Sequence, residues 1–104
     1  MPAVTIAGSE VHVDDEGFMT EYEEWSPEIG TALAAQIGID MTEDHWTTVK
    51  FLRDDYLEKG ETATLRRVST IGGIPTKQLF TLFPKKPAKK MAYVSGLPKP
   101  HGCI

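Results

Sequence analysis

The placement of proline and glycine most constrains how this chain can fold, because it divides the sequence into short segments. Proline lacks the N–H group that a helix interior needs, and glycine loses the most backbone freedom on ordering. Ser26-Pro27 has the form of a helix start, and Gly38 ends that segment. Thr42 is placed to cap a longer helix, which Gly60 ends.

The same residue types divide the second half of the chain into shorter helices. Gly72-Gly73 separates a short helix over residues 64–69 from another that begins at Thr76. Pro84 ends that helix, and Pro87 starts a last, basic helix that runs to about residue 93. The pattern predicts five helices with no linker inside the domain.

The amino-terminal residues follow a different period. Residues 4–6 and 11–13 alternate apolar and polar side chains around Gly8-Ser9, which predicts a short β-hairpin. Two strands alone are marginally stable, so the hairpin should pack on helices. We therefore expect a mainly α-helical domain with an amino-terminal hairpin over residues 1–95, followed by a flexible carboxyl-terminal arm over residues 96–104.

Composition limits the class of protein. The 104 residues form one small domain that can bury about two-thirds of its unfolded surface. A single cysteine allows no internal disulfide and suits a reducing compartment. The amino terminus has neither the basic region nor the apolar run of a signal peptide, and no stretch reaches transmembrane length. These features predict a cytoplasmic protein with no membrane partner.

Charge is segregated along the chain. All fifteen acidic residues precede position 62, alongside only three basic ones, and the remaining residues carry eight bases and no acid. Such segregation indicates either a footprint for an anionic partner or pairing between the two halves of the chain. The basic residues that we select as a candidate partner surface are Arg66, Arg67, Lys89 and Lys90.

The arm carries the only cysteine, Cys103, one residue from the carboxyl end. An unstructured tail with an incidental thiol is one interpretation. A docking arm is the other, because prolines lower the entropy lost on docking and two apolar residues offer contacts. On this interpretation the partner-binding residues are Gly96, Leu97, Pro98, Lys99, Pro100, His101, Gly102 and Ile104.

The charges around Cys103 oppose one another. A free thiol has a pKa of about 8.5, so only a few per cent is thiolate at neutral pH. The terminal carboxylate of Ile104 disfavours ionisation, whereas Lys99 and a protonated His101 favour it. This balance is typical of a carrier that is activated inside a partner's pocket, and it does not indicate a strongly activated catalyst.

The arm resembles that of a known family. Gly96-Leu-Pro-Lys-Pro followed by Gly102-Cys103-Ile104 is similar to the carboxyl arm of the DsrC/TusE sulfur-carrier proteins, and further landmarks occur in the expected order. These landmarks are Gly17, Trp25-Ser26, His45-Trp46, Leu52-Arg53-Asp54, Tyr56, Arg66, Leu82-Phe83-Pro84 and Pro87-Ala88-Lys89. The resemblance implies a sulfurtransferase-type carrier that relays persulfide sulfur on Cys103 without a cofactor or metal.

The resemblance also implies partners, namely a persulfide donor protein or complex and a sulfur-acceptor protein, with an indirect link to transfer RNA. Two-cysteine DsrC proteins have a second cysteine where this chain has Ala92, so the resemblance points to the single-cysteine, TusE-like branch. The segment between Arg66 and Leu82 is also shorter than in typical members. The route served is either transfer-RNA 2-thiouridine synthesis or sulfur oxidation.

Two alternatives belong to other classes. Residues 65–82 have the outline of a helix-turn-helix within an acid-free segment, as in a DNA-binding regulator. However, the candidate recognition helix offers only Lys77 and Gln78 to base edges. The other alternative is a non-catalytic interaction module, in which Cys103 has no role. One cysteine and three scattered histidines do not predict a metal site.

Overall fold

The computed structural model describes residues 3–100, so the sequence predictions for His101, Gly102, Cys103 and Ile104 lie outside the described residues. The elements run from an antiparallel hairpin, through a short 3-10 turn at Tyr22–Glu24, into five helices. The strands are β1 (Ala3–Ile6) and β2 (Ser9–His12), and the helices are α1 (Pro27–Gln36), α2 (Glu43–Lys59), α3 (Leu65–Thr70), α4 (Thr76–Leu82) and α5 (Pro87–Val94). The predicted fold class is confirmed.

The hairpin pairs Val4 with Val11 and Ile6 with Ser9. Its two turn residues are Ala7 and Gly8, both with positive φ, so the turn lies one residue earlier than the sequence suggested. Positive φ at both central positions matches the right-handed twist of a two-residue hairpin. The buried face of the hairpin packs on α1, as predicted, in a cluster of Ile6, Val11, Val13, Met19, Ile29 and Leu33.

The helix ends follow the signals in the sequence. The Ser26 hydroxyl accepts a hydrogen bond from the Ile29 N–H at the start of α1. Gly60 ends α2 in the left-handed conformation, with φ of 74°. Thr64 caps α3 by accepting from the Arg67 N–H. Local capping chemistry therefore sets most of the helix boundaries.

His45 caps α2 but does not lie on the surface. Its Nδ1 accepts a hydrogen bond from the Thr42 N–H at 3.1 Å, and its Nε2 lies 2.7 Å from the Leu82 carbonyl. These partners require the neutral tautomer with hydrogen on Nε2. The ring is buried edge-on against Phe83, so His45 joins the start of α2 to the end of α4.

The main core lies between α2 and the three helices that follow it. Its largest fully buried side chains are Leu52, Leu79, Phe83, Met91 and Leu97. Within the described residues 3–100, no helix is both long and apolar enough to cross a membrane.

The two halves of the chain pair across the fold. Arg67 lies 2.7 Å from Asp55, and Lys99 lies 3.3 Å from Glu16. In each pair a base from the acid-free half meets an acid from the first half. Pairing between the halves, one of the two interpretations of the charge pattern, therefore accounts for two of the eight bases.

The hairpin is also tied to the 3-10 turn by an ion pair. The two Glu24 carboxylate oxygens lie 2.7 Å from the His12 backbone nitrogen and 2.7 Å from His12 Nδ1. The hydrogen bond and the negative charge of Glu24 raise the pKa of His12 above its usual 6.5. The same contacts, led by the backbone hydrogen bond, lower the pKa of Glu24.

We predict that this ion pair makes stability depend on pH. Because the pKa of His12 is raised in the folded protein, its stabilising contribution is complete below about pH 6.5 and is lost as pH rises through the raised value. An NMR titration of the His12 ring should therefore give a midpoint above 6.5. Glu24→Gln should return the midpoint towards the usual value, and an unchanged midpoint in that variant would contradict the ion pair.

Candidate functional site: the base of the carboxyl-terminal arm

The first part of the arm, residues 96–100, packs on the domain. Leu97 is fully buried, and its N–H donates to the Ala92 carbonyl at 3.1 Å. The sequence predicts a flexible arm that begins at residue 96 and in which Leu97 contacts a partner. In the structure it is an anchor in the main core, because an apolar side chain directly after a helix end can fold back onto that helix.

Trp25 holds the end of α5. Its indole Nε1 donates to the Val94 carbonyl at 2.9 Å. The ring lies between two glycines, Gly30 in α1 and Gly96 in the arm. A Cβ atom at Gly96 would lie 2.7 Å from the indole Cγ, and one at Gly30 would lie 2.8 Å from Cζ2. Gly96 also has a φ of +69°, so both space and backbone conformation require glycine there.

Arg53 of α2 lies between two aromatic rings at the same place. Its guanidinium carbon is 3.8 Å from the Tyr22 ring centroid and 4.3 Å from that of Trp25. Nη1 donates to the Ser95 carbonyl at 2.8 Å, and Nη2 donates to the Tyr22 carbonyl at 2.9 Å. Burial lowers the pKa of Arg53, but a guanidinium remains charged at neutral pH. The cation therefore fixes the arm to α2 through stacking and hydrogen bonds together.

These contacts complete the hydrogen bonding of the end of α5. The last four carbonyls of a helix have no partner within the helix. Here Ser95 donates to the Met91 carbonyl, Leu97 to that of Ala92, Gly96 to that of Tyr93 and Trp25 to that of Val94. All four carbonyls are thus satisfied, which explains how the chain can turn sharply and bury its backbone at this point.

The next residues of the arm also pack on the domain, with Pro98 and Lys99 partly buried and Pro100 buried. The Thr62 hydroxyl donates to the Pro98 carbonyl at 2.7 Å. Lys99 reaches Glu16, with 37% and 55% of the two side chains exposed. Exposed ion pairs contribute little to stability, so these two contacts hold the arm less firmly than the contacts of Trp25 and Arg53 do.

The predicted basic partner surface is divided between two helices. Arg66 is exposed on α3, whereas its neighbour Arg67 forms a two-pronged pair with Asp55 at 2.7–3.1 Å. Lys89 and Lys90 lie on α5 beside a cleft of about 310 Å³, with Glu16, Phe18, Ile37 and Tyr93 as its other walls. Lys90 also donates to the Pro84 carbonyl.

A second cleft, of about 400 Å³, lies beside the arm at Thr62. Its walls come from the end of α2 and the start of α3, and they are Asp55, Lys59, Glu61, Thr62, Ala63, Thr64 and Arg67. The Arg67 pair lowers the pKa of Asp55, chiefly through its hydrogen bonds, and keeps that carboxylate ionised. Arg67 therefore has a structural role, because its pair with Asp55 joins α3 to α2 beside this cleft.

Sequence reasoning did not select the two residues that hold the arm. Trp25 and Arg53 are landmarks of the resemblance in the sequence, but nothing there gives them a role at the arm. The structure shows Leu52 fully buried in the core and its neighbour Arg53 partly exposed and turned to the arm. The signal available was an aromatic cluster, Tyr22, Trp25 and Trp46, near an arginine at a helical position.

Buried polar groups within the described residues 3–100 are used by the fold. Every buried side-chain nitrogen or oxygen there has a hydrogen-bond partner. The same residues contain no group of three or more His, Cys, Asp or Glu side chains that could hold a metal ion. Ala92, the position at which the resemblance places the second cysteine of two-cysteine DsrC proteins, is fully buried on α5.

These features define a class: a small helical domain that fixes the base of a carboxyl-terminal segment carrying its only cysteine. Residues 5–104 match the family described as "DsrC like protein". Sulfurtransferase TusE of Salmonella typhimurium is 36% identical over 93% of this chain and 95% of its own length. The chain belongs to the DsrC-like family.

Solved structures agree with this assignment. A crystal structure of dissimilatory sulfite reductase I (DsrI) has a TM-score of 0.85 and 35% identity, covering 99% of this chain and 100% of the other. The NMR structure of Allochromatium vinosum DsrC has a TM-score of 0.80 and 32% identity, covering 98% and 97%. The resemblance found in the sequence is therefore confirmed.

We predict that Asp55→Ala destabilises the protein, because it leaves the partly buried Arg67 guanidinium without its partner. The expected loss is about 1–3 kcal/mol, between the values typical of exposed and buried pairs. Asp54→Ala is the matched control, because the Asp54 pair with Lys50 on the same helix is mostly exposed and its loss should cost under about 0.5 kcal/mol. Urea denaturation of both variants measures the difference, and equal losses would contradict this role.

Proposed function

We propose that this protein is a sulfur carrier in a sulfur relay and that Cys103 holds the sulfur. Membership of the DsrC-like family and similarity to sulfurtransferase TusE support a carrier role. The observation that carries the assignment to Cys103 is that the only thiol follows a segment whose base is fixed by Trp25, Arg53 and Leu97. A fixed base and a thiol six residues beyond it suit delivery into another protein's pocket.

The proposed transfer balances without an added oxidant or reductant. The Cys103 thiolate attacks the outer sulfur of a persulfide on the donor's cysteine. A new S–S bond forms on Cys103, the donor's S–S bond breaks, and the donor's cysteine leaves as a thiolate. The acceptor's thiolate then attacks the outer sulfur on Cys103 in the same way. The number of S–S bonds is unchanged at each step.

Ala92 limits the chemistry to this exchange. With one cysteine, the chain has no second thiol with which to form an internal disulfide or trisulfide. Any sulfur on Cys103 must therefore leave to a thiol or sulfur acceptor outside this chain. This property supports the single-cysteine, TusE-like interpretation of the sequence.

The proposed partners are a persulfide donor protein or complex and a sulfur-acceptor protein, both in the cytoplasm. The end of the route is transfer-RNA 2-thiouridine synthesis, with an indirect link to transfer RNA, or sulfur oxidation. We retain Arg66, Lys89 and Lys90 as a candidate partner surface, with Arg67 beside them as a structural residue. We also retain the division into a domain, residues 1–95, and a carboxyl-terminal arm, residues 96–104.

The DNA-binding alternative is not favoured. Helices α3 and α4 are short and are joined by a glycine turn, as a helix-turn-helix requires. However, α4 has Phe80 on its surface beside Lys77, and the Arg67 guanidinium is taken up by Asp55. The comparisons support a sulfur carrier, and an interaction module without a role for the thiol is likewise not favoured.

Cys103→Ser tests the proposed function. Intact mass spectrometry after incubation with glutathione persulfide should show one added sulfur atom on the wild type and none on the variant. The fold should be unchanged, because the sequence predicts Cys103 outside the core and changes away from the core usually cost under about 0.5 kcal/mol. Sulfur loading of the variant, or salt-sensitive binding of duplex DNA without any loading of the wild type, would overturn the proposal.

A further inference from the structure

We infer that Trp25, Arg53 and Gly96 form an arm anchor, which fixes the start of the segment that carries Cys103 and so limits the distance that the thiol can reach. This inference rests on the proposed function for its purpose, but its geometry stands independently. Trp25 and Arg53 come from distant parts of the chain and donate hydrogen bonds to the Val94 and Ser95 carbonyls, and Gly96 leaves room for the Trp25 ring. None of the three reacts with sulfur, so they act as positioning residues.

The anchor is stronger than the fold alone requires. A helix end is commonly satisfied by water or by a single glycine turn. Here two side chains add hydrogen bonds to the Val94 and Ser95 carbonyls, and the arginine cation is held between two rings. Leu97 is then buried directly after the anchor. The backbone is thus fixed at four consecutive residues.

This arrangement limits the reach of the thiol. Cys103 is the sixth residue after Leu97, and an extended chain spans about 3.3 Å per residue. The thiol can therefore travel at most about 20 Å from Leu97. If the chain were free from Val94 onward, nine residues would extend the limit to about 30 Å. A partner must accordingly bring its own cysteine within about 20 Å of the end of α5.

The contacts beyond the anchor differ in kind. Residues 98–100 are held by one hydrogen bond, Thr62–Pro98, by the partly exposed Lys99–Glu16 ion pair and by the burial of Pro100. These are the contacts that must break when the arm extends into a partner, whereas the anchor remains. The structure thus separates a fixed base from a segment that can be released.

Gly96→Ala tests the anchor. A methyl group there would collide with the Trp25 indole, so the base of the arm should lose its fixed position. Gly73→Ala is the matched control, since Gly73 has nearly the same φ, +73° against +69°, but open space where its methyl would lie. Both variants carry the same backbone strain, and only the first disturbs the indole.

Two measurements report the position of the arm. Backbone relaxation should give a rigid order parameter, about 0.85, for Leu97 in the wild type and in Gly73→Ala, and a clearly lower one in Gly96→Ala. Spin labels on Cys103 and on Glu58→Cys, an exposed site on α2, report the distance from arm to body. In Gly96→Ala the label distances should spread, as the chain available grows from about 20 Å to about 30 Å.

Trp25→Phe and Arg53→Lys separate hydrogen bonding from packing. Trp25→Phe keeps an aromatic ring but removes the indole N–H. Arg53→Lys keeps the positive charge but removes the planar guanidinium group and its several N–H donors. Both should give intermediate label distances. Loading from glutathione persulfide should stay within about twofold of the wild type in every variant, because a small donor reaches the thiol wherever it lies.

The outcomes distinguish the two proposals. A low order parameter at Leu97 in the wild type, or label distances in Gly96→Ala that match those in Gly73→Ala, would overturn the anchor. If Gly96→Ala does not fold, Trp25→Phe and Arg53→Lys provide the test. Label distances in both variants that equal those of the wild type would also overturn the anchor. Failure of the wild type to accept sulfur would overturn the proposed function and leave the anchor intact.

Discussion

The hydrogen bonding at the end of α5 is the constraint on which the candidate site depends. A helix that stops inside a packed domain leaves carbonyl groups that must find partners. In this protein the partners come from the hairpin-proximal residue Trp25, from Arg53 of α2 and from the arm itself. The contacts that satisfy the carbonyl groups at the end of α5 therefore also join Trp25 and the base of the arm to α2, the longest helix. Stability of the domain and placement of the arm are consequences of one set of interactions.

The fold could largely be predicted from the sequence because its boundaries are local. Capping residues and glycines with positive φ act within a few positions, so Ser26, Thr42 and Gly60 indicate helix ends without knowledge of the tertiary structure. The boundary of the arm could not be predicted in this way. It depends on whether Leu97 finds a place in a core built from distant helices, and composition alone gives proline and glycine too much weight there.

The candidate site shows the same distinction. The prediction that Cys103 is the reactive residue rests on a simple count, because the chain contains one cysteine. Trp25 and Arg53, whose side chains hold the arm, lie 78 and 50 positions before Cys103, so no local pattern connects them to it. The basic surface was predicted from charge alone, and charge does not reveal that Arg67 is already paired with Asp55. Long-range partners must be seen in the fold before a charged residue can be assigned to a binding surface.

An anchored arm also explains how a carrier can work without an activated thiol. Transfer between two proteins requires that a thiolate meet a sulfur atom in line, and a long free chain would find that geometry rarely. On our proposal, fixing the chain at Leu97 leaves the six residues up to Cys103 to enter a pocket and restricts the volume that the thiol can sample. The proposed partner would then supply the local charge that ionises Cys103. On this division of roles, the domain contributes position and the partner contributes reactivity, which lets one small protein exchange sulfur with a donor and an acceptor in turn.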